Sequence, residues 1–427
     1  MAEQGLEYLV GLAASVMVAS VGEAAVSGVS LVEFLMAFFI SLFAALAAGG
    51  TVIAGQYLGR GNTPLARQAA DQLVWFAGAV ALLMTFGMLA AEDLVLDGLF
   101  GRIEPDVRLH AQTYLRVAVF SIPALALYNA GAAVFRTMGN ARLPMLASLF
   151  MGVLNVAGSA VALYGLGAGT AWVAFSALIS RWAAALLILA LALNRTLPLH
   201  LRRSLRHRFR RDTIRRIMGI GIPYGLENGL FYLGRIAVLG LVATYGTAAI
   251  AANAVAGTLV MFNVLPGMSI GLGMTAVIAR CVGAGDYGQA RYYTRKILVI
   301  VYAAHLAVTV LLLGVLPSLF RAYALPEAAT DLAWELVLWH MALTAFVWPA
   351  AYTLPVTFRA AGDARYPMIV GVATMFGCRV FMAYVLGSVL GMGVLGTWLA
   401  MFLDWIVKAA LFIPRYVRGR WTTFRAI

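Results

Sequence analysis

Apolar positions fill most of this chain in long runs, and polar positions gather in the short stretches between them. Taken in order, the runs predict twelve helices, of which the first six cover about Glu3–Ser20, Ala24–Leu58, Leu65–Ala90, Pro105–Thr137, Leu143–Tyr164 and Thr170–Asn194. The other six cover about Thr213–Thr244, Ala248–Val282, Tyr287–Leu316, Glu327–Arg359, Tyr366–Leu386 and Val394–Tyr416. A bilayer crossing takes about 20 residues, and most of these runs supply them. The first is different: its apolar part, Leu9 to Val21, would rise only about 20 Å against a hydrocarbon core of roughly 30 Å. Its counterpart in the second half begins near Arg215 or Arg216, which corresponds to a position before Met1. Either the chain lacks the start of its first helix or that helix is short, and we favour the first reading.

Two motifs recur at nearly one offset. The stretch Phe135-Arg136-Thr137-Met138-Gly139-Asn140-Ala141-Arg142-Leu143-Pro144-Met145 returns as Phe358-Arg359-Ala360-Ala361-Gly362-Asp363-Ala364-Arg365-Tyr366-Pro367-Met368. Each copy reads as one helix ending on a left-handed glycine and another starting from an Asn or Asp cap, with proline in its first turn. The arginines are expected at the headgroups. Gly50-Thr51, Gly59, Gly61-Asn62 and Ala66-Arg67 likewise match Gly273-Met274-Thr275, Gly283, Gly285-Asp286 and Ala290-Arg291, and Gly22 keeps register with Gly246. The chain is therefore read as two copies of one membrane module. Residues 1–194 form an N-terminal six-helix lobe, 195–212 a basic linker, and 213–427 a C-terminal six-helix lobe with a basic tail.

Composition agrees: of 427 residues, 63% are hydrophobic and 11% charged, outside the soluble globular range. The formal net charge of +13 would suggest nucleic acid in a soluble protein. Here it is segregated into alternate loops, so it sets topology and meets anionic lipid, and no nucleic-acid partner is expected. With the N-terminus inside, Arg60, Arg67, Arg136, Arg142, the linker arginines, Arg280, Arg291, Arg295, Lys296, Arg359, Arg365 and the tail fall on the cytoplasmic side. Glu23, Glu92, Asp93, Asp97, Arg102, Glu104, Asp106, Arg321 and Glu327 fall outside. This bias places both termini in the cytoplasm and the chain in the cell (inner) membrane as a multi-pass protein. Six helices per copy give both copies the same sense, so the two bundles are pseudo-symmetric about an axis along the membrane normal.

The Gly-rich pair Gly55-Gln56-Tyr57-Leu58-Gly59-Arg60-Gly61-Asn62 and Arg280-Cys281-Val282-Gly283-Ala284-Gly285-Asp286 resembles the multidrug and toxic compound extrusion (MATE) family. So do the Phe-Arg-x-x-Gly pair and the stretch Val21 to Ser30. The resemblance covers nearly the whole chain. It implies a twelve-helix, monomeric antiporter that exports amphipathic, often cationic organic compounds in exchange for Na⁺ or H⁺. It implies no cofactor beyond that ion. Many members carry an aspartate in the first helix where this chain has Ala14, and some an acid in helix ten, where Met341 to Phe358 has none. The chain departs from the family at both positions.

Carboxylates inside a membrane are costly and so are functional candidates. Glu3 and Glu7 lie on the first helix and Glu227 on the seventh; Glu3 and Glu227 share a repeat position, followed by Gln4 or Asn228. Glu3 and Glu7 would share a helix face and either hold one proton or attract Na⁺; equally, they could be wet and near the surface. Glu227 follows Pro223 in a Gly-rich stretch expected to bend and free backbone carbonyls. Arg235, about two turns on, either neutralises a carboxylate or snorkels. Asn253, Asn155 and Asn263 read more as interhelical hydrogen-bonders than as ligand contacts. Asp404 and Lys408 should pair, with Arg379 joining them, and Pro349, Pro355 and Pro266 should kink their helices. Met261, Phe262, Met268, Met341, Phe346 and Trp348 either line a forgiving cavity or pack. Two rival readings remain: a flippase of a lipid-linked precursor, which would want a strongly cationic cleft, and a membrane enzyme, for which no catalytic motif is present.

Overall fold

The computed structural model describes Met17 and residues 22–100, 104–165, 169–202, 208–323 and 326–427. The expected first helix, with Glu3, Glu7 and Ala14, lies outside the described residues. The regular structure among them is all helical, without a strand. Five long helices come first: α1 (Glu23–Gly59), α2 (Thr63–Ala90), α3 (Pro105–Thr137), α4 (Arg142–Gly165) and α5 (Thr170–Ala192). Then follow α6 (Arg211–Ala243), α7 (Thr247–Gly283), α8 (Tyr287–Tyr323), α9 (Glu327–Phe346 continuing as Pro349–Ala361), α10 (Arg365–Val389) and α11 (Gly393–Val417). Ten of them are each long and apolar enough to cross a membrane, and α9 adds an eleventh span if its two bent parts are taken as one. The outer segment around Glu92, Asp93 and Asp97, read as a loop, forms a short helix, Glu92–Phe100. It is tied to α3 by Arg116–Glu92 at 3.0 Å and Arg108–Asp93 at 3.1 Å.

Contacts group the chain into one unit ending at Gly225 and a second, Leu226–Ile427, so that the dividing point falls inside α6. Within the first unit α1 packs on α2 and α3, α3 on α5, and α4 on α5. Within the second, α7 packs on α8 and α9, α9 on α11, and α10 on α11, the same order shifted by one repeat. The connections repeat as well. Gly22 and Gly246, Gly61 and Gly285, and Gly139 and Gly362 all have positive φ. Asn62 accepts from the Leu65 amide at 3.1 Å, and Asp286 from the Gln289 amide at 2.8 Å, each starting the next helix. Asn140 likewise accepts from the amides of Arg142 and Leu143 at 3.1 and 3.2 Å.

The two left-handed glycines of the repeated arginine motif differ in surroundings. A Cβ on Gly139 would meet open space, whereas one on Gly362 (φ +107) would lie 3.1 Å from the Ala426 backbone nitrogen. Both alanine variants are strained, at about 1–2 kcal/mol for the backbone alone. Gly362→Ala must also displace the C-terminal segment. The expected outcome is a larger drop in thermal midpoint for Gly362→Ala than for Gly139→Ala, read by thermal unfolding in detergent. Beside Gly362, Asp363 is buried and accepts from Arg415 Nε and Nη2 at 2.8 and 2.6 Å. Burial pushes its carboxyl up from the usual range, and Arg415 pulls it back.

Prolines act unevenly. Pro349 removes a ladder donor from α9, and the helix bends by 58° between Phe346 and Pro349, with a wide π turn at Pro349–Thr353. By contrast α7 runs through Pro266, and α6 through Pro223, as single helices. The expected loosening of Gly219–Gly225 is absent: Gly221 packs against the Leu46 backbone of α1, and that neighbour holds the turn in place.

Candidate functional site

The second unit brings Glu227 and Arg359 together. Arg359 Nη2 donates to both carboxylate oxygens, at 2.7 and 2.8 Å. Arg359 was expected at the headgroups because it stands near a helix end. Instead it is only 8% exposed and turned inward to the carboxylate. The Glu227 side chain keeps 18% of its surface accessible, so the pair is reachable from one side. Space for it comes from Gly371 on α10, where a Cβ would lie 3.0 Å from Glu227 Cγ. Asn228 is half-buried on the next position of α6.

A second ionic group lies among α9, α10 and α11. Asp404 and Lys408 pair at 3.0 Å on consecutive turns of α11, as their spacing predicts. Lys408 Nζ donates to Tyr352 Oη at 3.3 Å, and Tyr352 Oη to Asp404 at 3.4 Å. Arg379 does not extend this chain of bonds. Its guanidinium lies 5.2 Å from the Phe231 ring centre of α6, which Lys408 approaches from 5.6 Å. Arg235, one turn after Phe231, is exposed. Among the described residues neither Arg235 nor Arg379 has an acidic partner. A charge left unpaired at the centre of a span costs roughly 2.5–3.5 kcal/mol on insertion scales, so both positions call for an explanation.

Several nearby polar residues are tied to one another. The Gly267 amide, next to Pro266, donates to His305 Nε2 at 3.1 Å, and His305 Nδ1 meets the Thr344 carbonyl at 3.3 Å. An amide on one nitrogen and a carbonyl on the other fix a neutral ring with its proton on Nδ1. Asn253 accepts from Trp398 Nε1 at 2.9 Å, an interhelical tie. Met341 and Trp348 are buried, Trp348 stacking on Tyr352 at 5.0 Å, whereas Phe346 and Met268 are exposed.

The first unit holds an ionic group that sequence reasoning missed. Glu33 on α1 accepts from Tyr114 Oη at 2.7 Å and from Arg181 Nη2 at 3.1 and 3.2 Å. Arg181 Nη1 donates on to Ser121 Oγ at 2.9 Å. The signal was present, since Arg181 is the lone charge of α5 and Glu33 the lone charge of α1 beyond its first residue.

Ten apolar helices among the described residues, with ion pairs inside them, make this a multi-pass membrane protein. The model of the MatE family matches residues 1–161 and 223–385, and the chain belongs to that family. It is 24% identical to the uncharacterized transporter YisQ of Bacillus subtilis (98% of this chain, 92% of that one). It is 22% identical to the probable multidrug resistance protein NorM of Thermotoga maritima (99% and 90%). Among solved structures, an outward-facing multidrug resistance MATE family transporter of the MOP superfamily matches with a TM-score of 0.90 at 20% identity, over 99% of this chain and 94% of that one. The fold is thus that of the MATE transporters.

Proposed function

We propose that this protein is a secondary active multidrug exporter. It exchanges amphipathic, often cationic organic compounds for Na⁺ or H⁺ by alternating access. The observation that carries the reading is the Glu227–Arg359 pair: one carboxylate, largely withdrawn from solvent within a membrane span, with both oxygens held by a single guanidinium nitrogen. A cation arriving at Glu227 competes with Arg359 for those oxygens. Loading and release of the ion therefore switch Arg359 between two positions, the kind of two-state element that coupling requires. The relatives named as multidrug resistance proteins support drugs as the substrates. Glu3 and Glu7, one repeat earlier, are the N-terminal candidates for the same task, with Asn228 beside Glu227. Charge bias supports cytoplasmic termini in the inner membrane. The working unit is a monomer that needs no cofactor besides the coupling ion.

The test is dye efflux from proteoliposomes under imposed Na⁺ and pH gradients. Efflux driven by one of the two gradients is the expected result. Efflux indifferent to both would remove the coupled mechanism, and translocation of a lipid-linked precursor without drug efflux would favour a flippase.

A further inference from the structure

Four basic side chains stand in the membrane spans around Glu227 and Asp404, and only two of them are matched. Arg359 is matched by Glu227 and Lys408 by Asp404. Asp331 and Glu335, near the outer start of α9, are exposed and form no ion pair with either remaining arginine. Arg235 and Arg379 therefore leave an excess of positive charge inside one unit.

Snorkelling does not account for Arg379. Arg379 is about 15 Å from the outer end of α10, measured as helix rise from Val389. Its guanidinium lies over Phe231, itself about 18 Å from the end of α6 at Ala243. The side chain thus turns to the protein interior at mid-depth. The backbone at Arg379 is also irregular: Met375–Phe381 is a π-helical stretch inside α10, a distortion common at functional sites. Beside the arginines stand Phe231 and Tyr352, their rings 6.5 Å apart and edge to face. Planar guanidinium groups pair with acidic groups through fixed forks of N–H donors, and aromatic rings receive aromatic ligands.

We propose that Arg235 and Arg379 form a recognition site for the acidic group, a carboxylate or sulfonate, of an amphipathic aromatic substrate, with Phe231 and Tyr352 as its aromatic wall. The inference rests on the efflux reading and narrows it. Under this reading the exporter's substrates include zwitterions, whose cationic end meets the general expectation for such exporters and whose acidic end meets Arg235 and Arg379. A lipid phosphate offers similar chemistry, and the experiment separates the two sources.

The full-length protein in phosphatidylcholine nanodiscs is titrated with dansylglycine and with its methyl ester, followed by fluorescence. The acid is expected to bind at least about tenfold tighter than the ester, and Arg379→Gln and Arg235→Gln each to remove most of that preference. Arg379→Lys, which keeps the charge but loses the fork, should retain part of it. This gives a second readout if a glutamine variant fails to fold. Equal affinity for acid and ester in the wild type would overturn the proposal, and so would an unchanged preference in Arg235→Gln/Arg379→Gln or, should that variant not fold, in Arg379→Lys. Loss of acid binding when phosphatidylglycerol is added would assign the site to a lipid headgroup and overturn the substrate assignment. No ion gradient is used, so this result can fail while coupled efflux stands, and the reverse.

Discussion

Glu227→Gln is expected to abolish ion-driven efflux while the protein stays folded. The amide keeps an oxygen for Arg359, so the partner is not stranded, yet it can neither take a proton nor attract Na⁺ with a full charge. Arg359→Gln should act in the opposite sense on structure. It leaves a carboxylate uncompensated in a largely buried site, at a cost of about 3–5 kcal/mol. Glu227→Gln/Arg359→Gln should recover most of that loss without recovering transport. The measurements are gradient-driven dye efflux and thermal unfolding of each variant. Wild-type efflux by Glu227→Gln would take the residue out of the mechanism.

The second large effect is expected at Asp404 and Lys408, whose side chains are 0% and 4% exposed. Lys408→Met leaves Asp404 with only the Tyr352 hydroxyl, and Asp404→Leu leaves Lys408 with an aromatic cage and no anion. Each single change should cost about 3–5 kcal/mol, and the double change should restore most of the stability, because a matched apolar pair is an adequate substitute for a buried ion pair. Denaturation of the two single variants and the double one gives the coupling directly. Additive losses would mean that the two residues do not act as a pair.

Much of this was legible in the sequence, and what was missed has physical causes. Duplicated loops announced themselves because backbone at positive φ demands glycine, and the same demand recurs at Gly139 and Gly362. The Asp404–Lys408 pair follows from helical spacing alone. The partner of Glu227 could not be read that way: Arg359 is about 130 positions away, and its place near a helix end suggested solvent. Glu33 and Arg181 were passed over although a lone charge in an apolar run is itself a signal. Their meeting depends on α1, α3 and α5 packing together, which no local pattern records. Pro266 and the Pro223 stretch were expected to bend their helices; each helix continues through its proline, and beside Pro266 the Gly267 amide finds His305.

Because Glu227 and Arg359 cancel, their site carries no net charge while they are paired. Under the proposed exchange, reorientation in that form moves no net charge of this pair. Under the same exchange, a cation that displaces the guanidinium would add one elementary charge to the site, and moving it through the full membrane is worth about 2.3 kcal/mol per 100 mV. If the proposed ion exchange holds, an energised membrane would act more strongly on the ion-bound form than on the paired one.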